Sequence, residues 1–140
     1  MRPITYVATG RVPAAMEHVF HALTDPAQVP EWLPGCQAAV TDGPVQKGSR
    51  VRAHFGKRVT VFEVVDYAPP HRFGWTERGW RQGWKLWFRL DAADRATAVT
   101  VCEVWAPRSF SAWLLARLMP RRNSQLYVEQ IFERLQRRFP

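Results

Sequence analysis

The stretch 121–138, RRNSQLYVEQIFERLQRR, says more about the fold than any other part of this chain. Its apolar residues recur at the spacing of a helix with one apolar face, and they are Val128, Ile131, Phe132, Leu135 and, just beyond, Phe139. Pro120 should end or kink a helix before this stretch, because proline lacks a backbone donor and clashes with the preceding turn. The sequence therefore predicts a long helix from about Arg121 to Arg138, with a shorter helical piece at 110–119 before it.

Seven strand-like segments precede this helix. The clearest is Ser49–Phe55, in which the apolar residues Val51 and Ala53 alternate with arginines. The segments are Ile4–Val12, Cys36–Thr41, Ser49–Phe55, Val59–Tyr67, Arg72–Trp80, Trp84–Leu90 and Ala98–Trp105. Because the strands after the first follow one another through short connections, they should pair as an antiparallel meander.

Two short helices are predicted between the first two strands. Pro13 should begin the first, because a first helical turn does not need its missing N–H, and this helix should continue to Leu23. Asp25 can cap the second, which should end near Trp32. The C-terminal helix can then bury its apolar face only on the concave face of the sheet. We predict one α+β domain, 1–140, with a curved antiparallel sheet of six to seven strands wrapped around that helix.

Composition indicates a globular protein with a strong positive charge. The formal net charge is +8, mostly from arginine, which favours contact with anionic membranes or acidic partners. Nucleic acid is disfavoured as a partner, because the arginines are dispersed along the chain. The first residues lack the apolar run of a signal peptide, and no stretch approaches the ~20 apolar residues of a membrane span. We therefore expect a cytoplasmic location.

Several short segments resemble, in the same order, those of the SRPBCC (START-related, helix-grip) superfamily in its polyketide cyclase/dehydrase branch. They span nearly the whole chain and are Val12–Phe20, Leu23–Pro26, Glu31–Gly35, Lys47–Arg50, Tyr67–Phe73, Phe88–Leu90 and Thr97–Val101. The resemblance implies the helix-grip (START/Bet v 1-like) fold, with a deep cavity between sheet and C-terminal helix for a hydrophobic or amphipathic molecule. Members bind lipids, sterols, hormones, quinones or polyketides, and only some are enzymes, so no single activity is implied and no cofactor is expected.

Carboxylates within apolar strand patterns are the candidate catalytic or anchoring groups. Glu103 alternates with Val101, and Glu77 alternates with Trp75, on faces that we predict to point inward. A carboxyl group in an apolar cavity has a raised pKa and can act as an acid or a base. Pairing with an arginine, or a place near a strand end, is the alternative. The sequence does not decide on which face of the sheet Glu63 lies, because both sides of its strand carry apolar residues.

Aromatic residues are the candidate walls of the cavity, because flat or isoprenoid ligands stack on them and bury area against them. Those predicted to line it are Tyr6, Phe55, Phe73, Trp75, Trp84, Phe88, Trp105 and Tyr127. Tyr127 is also a candidate polar anchor, together with Glu103 and Glu77. Ordinary core packing is the alternative for each residue, although a closed core of this size rarely needs seven tryptophans.

Histidines and cysteines predict neither a metal site nor an activated nucleophile. His18 and His21 lie off the apolar stripe of the first helix, and no third ligand at zinc-site spacing accompanies them. Cys36 and Cys102 have no CxxC partner, so we predict small buried hydrophobes in a reducing compartment. No Ser-His-Asp or Cys-His arrangement follows from the spacing.

Three functions stay open. The first is binding of a lipid, isoprenoid, aromatic or polyketide-like molecule in the cavity. The second is a polyketide cyclase, aromatase or dehydratase that uses a cavity carboxylate, with an arginine as oxyanion partner. It would be excluded if Glu77 and Glu103 both faced solvent. The third is a lipid or quinone carrier that docks on anionic membranes, with the 110–119 piece as membrane contact or movable lid.

Overall fold

The computed structural model describes residues 3–77, 84–106, 109–111, 114 and 121–140, with 121–124 described by their backbone, and its strands form one sheet. The strands are β1 (Ile4–Val12), β2 (Ala38–Thr41), β3 (Arg50–Phe55), β4 (Arg58–Ala68), β5 (Arg72–Glu77), β6 (Trp84–Ala93) and β7 (Ala96–Trp105). Their order is β1-β7-β6-β5-β4-β3-β2, and neighbours are antiparallel. The predicted antiparallel meander is confirmed, with β1 added beside the last strand as an edge.

Helices α1 (Met16–Thr24), α2 (Val29–Trp32) and α3 (Arg121–Arg138) accompany the sheet, with a 3₁₀ turn at Pro26–Gln28 before α2. The long helix α3 packs mainly against β1, α2 and β7. Its apolar stripe is fully buried at Val128, Ile131 and Leu135. The predicted long helix is therefore confirmed, with the predicted bounds. Pro120 and most of the predicted piece at 110–119 lie outside the described residues.

Gly10 allows α3 to lie close against β1. A Cβ atom added to Gly10 would overlap Cζ of Phe132, well inside van der Waals contact. The ring of Phe132 therefore occupies the space that a side chain at position 10 would need. A residue without a side chain in the strand lets a large aromatic residue of the helix approach the backbone.

Two glutamines of α3 hydrogen-bond to the open edge of β1. Gln125 Nε2 donates to the carbonyl oxygen of Val7 at 2.9 Å. Gln136 Nε2 donates to the carbonyl oxygen of Arg11 at 3.1 Å. The two bonds show that α3 starts beside the beginning of β1 and runs along it, which determines where the start of the helix meets the sheet.

The start of α1 differs from the prediction. The helix begins at Met16 and not at Pro13. Thr97, which is fully buried on β7, donates its hydroxyl to the carbonyl of Ala14 at 2.6 Å. The backbone N–H of Ala14 donates to the carbonyl of Val12 at 2.8 Å. These bonds hold the residues after β1 in a turn, so the helix starts later than its proline suggests.

The last hairpin is tighter than predicted. Strand β6 continues to Ala93 and β7 begins at Ala96, so the connection between the predicted strands Trp84–Leu90 and Ala98–Trp105 shrinks to two residues. Arg95 has a φ of 56°, the left-handed conformation that two-residue hairpin turns use. The end of the predicted strand Arg72–Trp80 and the residues up to 83 lie outside the described residues.

A bulge in β4 determines the face of Glu63. The pairing of β4 with β5 shifts register between Val64 and Asp66. Val64 is buried before the bulge, and Tyr67 packs against the core after it, so the inward parity changes at this point. Glu63 lies opposite Arg50 of β3. It alternates with the buried Phe62 and Val64, so its side chain is on the face that points away from the core. The change of parity explains why both sides of this strand carry apolar residues.

Candidate functional site

Glu103 is a carboxylate buried on the inward face of the sheet. The residue is 6% exposed, and its Oε1 accepts a hydrogen bond from Nε1 of Trp84 at 2.9 Å. In the sheet register it lies between Tyr6 of β1 and Leu86 of β6. Directly opposite residues have Cβ atoms about 5 Å apart, so these three side chains are neighbours. A carboxylate in this position can accept a hydrogen bond from a bound molecule or exchange a proton with it.

Partly exposed aromatic residues share this end of the sheet. Trp105 lies directly opposite Trp84 in the pairing of β6 with β7. Tyr127 lies on α3 and packs against the core, two positions after the Gln125 that is bonded to Val7. The start of α3 and the start of β1 therefore meet where β7 ends. The predicted site residues that the fold brings together here are Tyr6, Trp84, Glu103, Trp105 and Tyr127.

A closed aromatic cluster fills the centre of the inward face. Four predicted wall residues belong to it, each at most 3% exposed, and they are Phe73, Trp75, Trp84 and Phe88. Phe62 stacks on Trp75 with ring centroids 4.5 Å apart and an interplanar angle of 11°. Trp32 stacks on Trp75 at 5.5 Å and 29°. The sequence did not predict Trp32 and Phe62 as members of this cluster. The alternation of Phe62 with Val64 before the bulge is the signal that could have indicated Phe62.

Glu77 shares the inward face with Glu103 but not its immediate surroundings. Glu77 is half-buried at the last described position of β5 and lies opposite Phe62 of β4. Strand β6 separates β5 from β7, and Trp75, not Glu77, lies in register with Glu103. Two strand spacings and two residues along β5 therefore separate the backbones of the two glutamates, which is about 12 Å. An enzyme would be excluded if Glu77 and Glu103 both faced solvent. Glu103 is buried, so the enzyme candidate stays open.

Phe55 lies away from this group. It ends β3, which is four strands from β7 in the sheet order. The guanidinium carbon of Arg58 lies 5.2 Å from the centroid of its ring, a distance typical of a cation–π contact. The structure therefore does not bring Phe55 close to Glu103.

The histidines and cysteines lie where the sequence predicted. His18 and His21 are exposed on α1, and His21 Nε2 is 3.5 Å from Oδ2 of Asp25. Within the ranges that the structure describes, no group of three His, Cys, Asp or Glu side chains could hold a metal ion. Cys36 and Cys102 are buried free thiols. Burial raises the pKa of both thiols, so neither has the character of an activated nucleophile.

Solved structures with low sequence identity share this arrangement of sheet and helix. The Aha1 dimer from Colwellia psychrerythraea is 16% identical, covers 97% of this chain and 96% of that chain, and has a TM-score of 0.73. DynU16, from the dynemicin biosynthetic locus, is 24% identical and has a TM-score of 0.69, and the match covers 95% of this chain and 46% of DynU16. Major latex-like protein 151 from Panax ginseng is 12% identical, covers 98% and 97%, and has a TM-score of 0.71. These matches confirm the predicted helix-grip fold.

A family-level match adds to the likeness of fold. A search of the curated proteins found no match. The family described as polyketide cyclase / dehydrase and lipid transport, by contrast, matches residues 3–140, which is nearly the full length. This is the branch of the SRPBCC superfamily that the short sequence segments resemble. The chain therefore belongs to the polyketide cyclase / dehydrase and lipid transport family.

Proposed function

We propose that the chain, as one domain over residues 1–140, binds a hydrophobic or amphipathic small molecule between the sheet and α3. The ligand would be lipid, isoprenoid, aromatic or polyketide-like. The observation that carries the proposal is Glu103, a carboxylate buried in a largely apolar face and bonded to Trp84. Sites for such ligands are mostly apolar with a few well-placed polar groups, and the surroundings of Glu103 fit that description.

In this proposal, apolar contact supplies most of the affinity and Glu103 supplies orientation. Burying about 300 Å² of apolar ligand surface contributes about 7.5 kcal/mol before the entropy losses of binding. A hydrogen bond to a carboxylate contributes about 1.5–3 kcal/mol. Tyr6, Trp105 and Tyr127 offer aromatic surface for stacking. Glu103 would accept a hydrogen bond from a hydroxyl or N–H group of the ligand.

Two measurements test this proposal. Native mass spectrometry of the purified protein should detect a co-purified hydrophobic molecule. Titration with β-naphthol and with its parent hydrocarbon naphthalene should give saturable binding of both. Glu103→Gln removes the charge that strengthens the bond to the hydroxyl, so naphthol should bind about fivefold more weakly and naphthalene unchanged.

The matched control is Glu63→Gln, which makes the same change on the face of the sheet that points away from the core. This variant should bind both probes as the unmodified protein does. Absence of a co-purified molecule together with absence of saturable binding of either probe would overturn the proposal.

The burial of Glu103 beside Tyr6 favours an enzyme of the cyclase, aromatase or dehydratase type as a second candidate. In a dehydration, the carboxylate would take the proton next to a ketone. The resulting acid would return it to the leaving hydroxyl, which departs as water. The Tyr6 hydroxyl would hydrogen-bond to the ketone oxygen as negative charge develops there. Glu77, the other candidate carboxylate, lies on the same face but two strands away from Glu103.

Loss of water from a β-hydroxy ketone, followed by mass spectrometry, tests the enzyme candidate. Glu103→Gln should abolish turnover because an amide cannot shuttle the proton, while naphthalene binding persists. Turnover that is equally fast with Gln at position 103 would remove Glu103 from the mechanism. If the unmodified protein binds ligands but shows no turnover, the enzyme candidate is overturned and ligand binding remains as the proposed function.

Peripheral contact with an anionic membrane, as for a lipid or quinone carrier, is a further part of the proposal. Phe110 and Leu114 are helical and 64% and 43% exposed, and the chain carries a formal net charge of +8. Apolar residues and positive charge together support binding at a membrane surface. Within the described ranges, every helix is too short or too polar to cross a bilayer.

A further inference from the structure

The inward face carries one transverse row of side chains that crosses five strands. Its members lie directly opposite one another in the sheet register, and they are Val64, Trp75, Leu86, Glu103 and Tyr6. The row therefore places a polar group at Trp75, an apolar residue at Leu86 and a polar group at Glu103. Two strand spacings separate Trp75 from Glu103, which is about 10 Å between their backbones.

The indole N–H of Trp75 differs from those of the neighbouring buried tryptophans. Trp32 Nε1 donates to the carbonyl of Ala22 at 3.0 Å, and Trp84 Nε1 donates to Glu103 at 2.9 Å. Trp75 is 1% exposed, and its Nε1 has no hydrogen-bond partner among the residues that the structure describes. Buried donors in proteins are nearly always bonded, so this one calls for a partner of another kind.

The stacking around Trp75 restricts where that partner can lie. Phe62 covers one face of the indole at 4.5 Å, and Trp32 stacks on it at 5.5 Å. The N–H bond lies in the plane of the ring, so a stacked ring cannot accept it. An acceptor must therefore approach within the ring plane. Phe73, whose ring is inclined by 73° at 5.6 Å, offers only the weak acceptor of an aromatic face.

We infer that Trp75 donates its indole N–H to an acceptor oxygen of the bound ligand. This inference rests on the proposed ligand-binding function and makes it more specific. Leu86 and Trp75 are at most 1% exposed, so a ligand reaches this row only when the side chains packed over it move aside. The row Trp75–Leu86–Glu103 would then select a flat molecule with a carbonyl oxygen at one end, an apolar body over Leu86, and a hydroxyl at the other end. Trp75 would donate a hydrogen bond to the carbonyl oxygen, and Glu103 would accept one from the hydroxyl. The ligand class is therefore a hydroxylated, conjugated ketone.

Two probes of nearly equal shape test the role of Trp75. Fluorenone carries a ketone oxygen, and fluorene is the hydrocarbon without it. The unmodified protein should bind fluorenone about three- to tenfold more tightly than fluorene, the gain expected from one hydrogen bond. Trp75→Phe should bind the two probes equally, while its affinity for fluorene stays close to that of the unmodified protein.

Trp32→Phe is the matched control, because it changes the other ring of the stack, whose N–H already has a partner in Ala22. This variant should keep the preference for fluorenone. Proton–nitrogen correlation spectra give a second readout, which does not depend on a variant that folds. The indole signal of Trp75, assigned through its contact with Phe62, should move downfield with fluorenone and much less with fluorene.

The outcomes separate this inference from the proposed function. Equal binding of both probes to the unmodified protein, or an indole signal of Trp75 that fluorenone does not move, would overturn the inference and leave ligand binding intact. The face of Phe73 would then be the acceptor of that N–H. Failure of both probes to bind would overturn the proposed function itself.

Discussion

The two buried cysteines are residues whose protonation the fold changes. Desolvation raises the pKa of Cys36 and of Cys102 above the ordinary value of 9.0, and the charge of Glu103 raises that of Cys102 further. The folded protein therefore holds these protons more tightly than the unfolded chain. The resulting stabilisation is complete below about pH 9 and is lost as the pH rises through the raised values.

Both thiols should react slowly with the reagent DTNB in the native protein at about pH 8, and rapidly after unfolding in urea, because only the exposed thiolate attacks. The absorbance time course measures this.

The urea midpoint should also fall more steeply from about pH 8 to pH 10 in the unmodified protein than in a Cys36→Ala, Cys102→Ala double variant. Native thiols that react as fast as unfolded ones would contradict the burial of both side chains.

Gly10 is a residue at which one added methyl group should be costly. Gly10→Ala places its Cβ against the ring of Phe132, and the displacement of that ring should lower the free energy of unfolding by about 1–3 kcal/mol. Urea denaturation measures the change. In a Phe132→Ala background the same substitution should cost much less, because the clash is gone. An equal cost in both backgrounds would mean that the contact is not the cause.

At the scale of the element, β1 is an edge strand whose open carbonyl groups are partly covered by α3. Gln125 and Gln136 bond to the carbonyls of Val7, near the middle of the strand, and of Arg11, near its end. An open strand edge is a template for pairing with another chain. The two glutamines therefore both attach α3 and reduce the number of acceptors that another strand could use.

Replacing both glutamines with alanine should weaken this attachment. Two partly exposed hydrogen bonds are lost, so the free energy of unfolding should fall by about 1–2 kcal/mol, as measured in urea. Sedimentation velocity should show more self-association at high concentration, because the edge of β1 is open. Gln130→Ala, at an exposed position of the same helix, is the control and should change neither quantity. A double variant that is as stable and as monomeric as the control would contradict this role.

Elements were predictable where the pattern of the chain is local and unambiguous. The apolar spacing of α3, with Pro120 before it, predicted its bounds. The alternation around Glu103 predicted its inward face. The bulge after Val64 was not predictable, because it exchanges inward and outward positions within one strand. The start of α1 also depended on Thr97, a hydrogen-bond partner on a strand distant in sequence.

At the scale of the whole molecule, the positive charge should act together with the exposed residues before α3. Vesicles that contain about one-third anionic lipid should bind the protein at low salt and release it at about 0.5 M salt, as charges become screened. Vesicle flotation measures the bound fraction. Replacing Phe110 and Leu114 with serine should reduce binding severalfold, because exposed apolar side chains insert at the interface.

Val59→Ser is the matched control, because Val59 is 49% exposed on β4, an element remote in sequence from Phe110. It should leave vesicle binding unchanged. Equal binding to neutral and anionic vesicles, or binding that salt does not affect, would contradict electrostatic docking. Equal losses in both variants would mean that the residues before α3 have no special role.

By itself, the sequence determined the strand pattern, the long C-terminal helix and the inward face of Glu103. Each depends on a periodicity that a few consecutive residues express. Only the tertiary structure decided that Trp84 bonds to Glu103, that Phe62 stacks on Trp75, and that Phe55 lies four strands away from the strand of Glu103. Those relations depend on strand order and register, and on a bulge whose position the local pattern leaves open. Residues far apart in the chain become neighbours only when the whole sheet has formed.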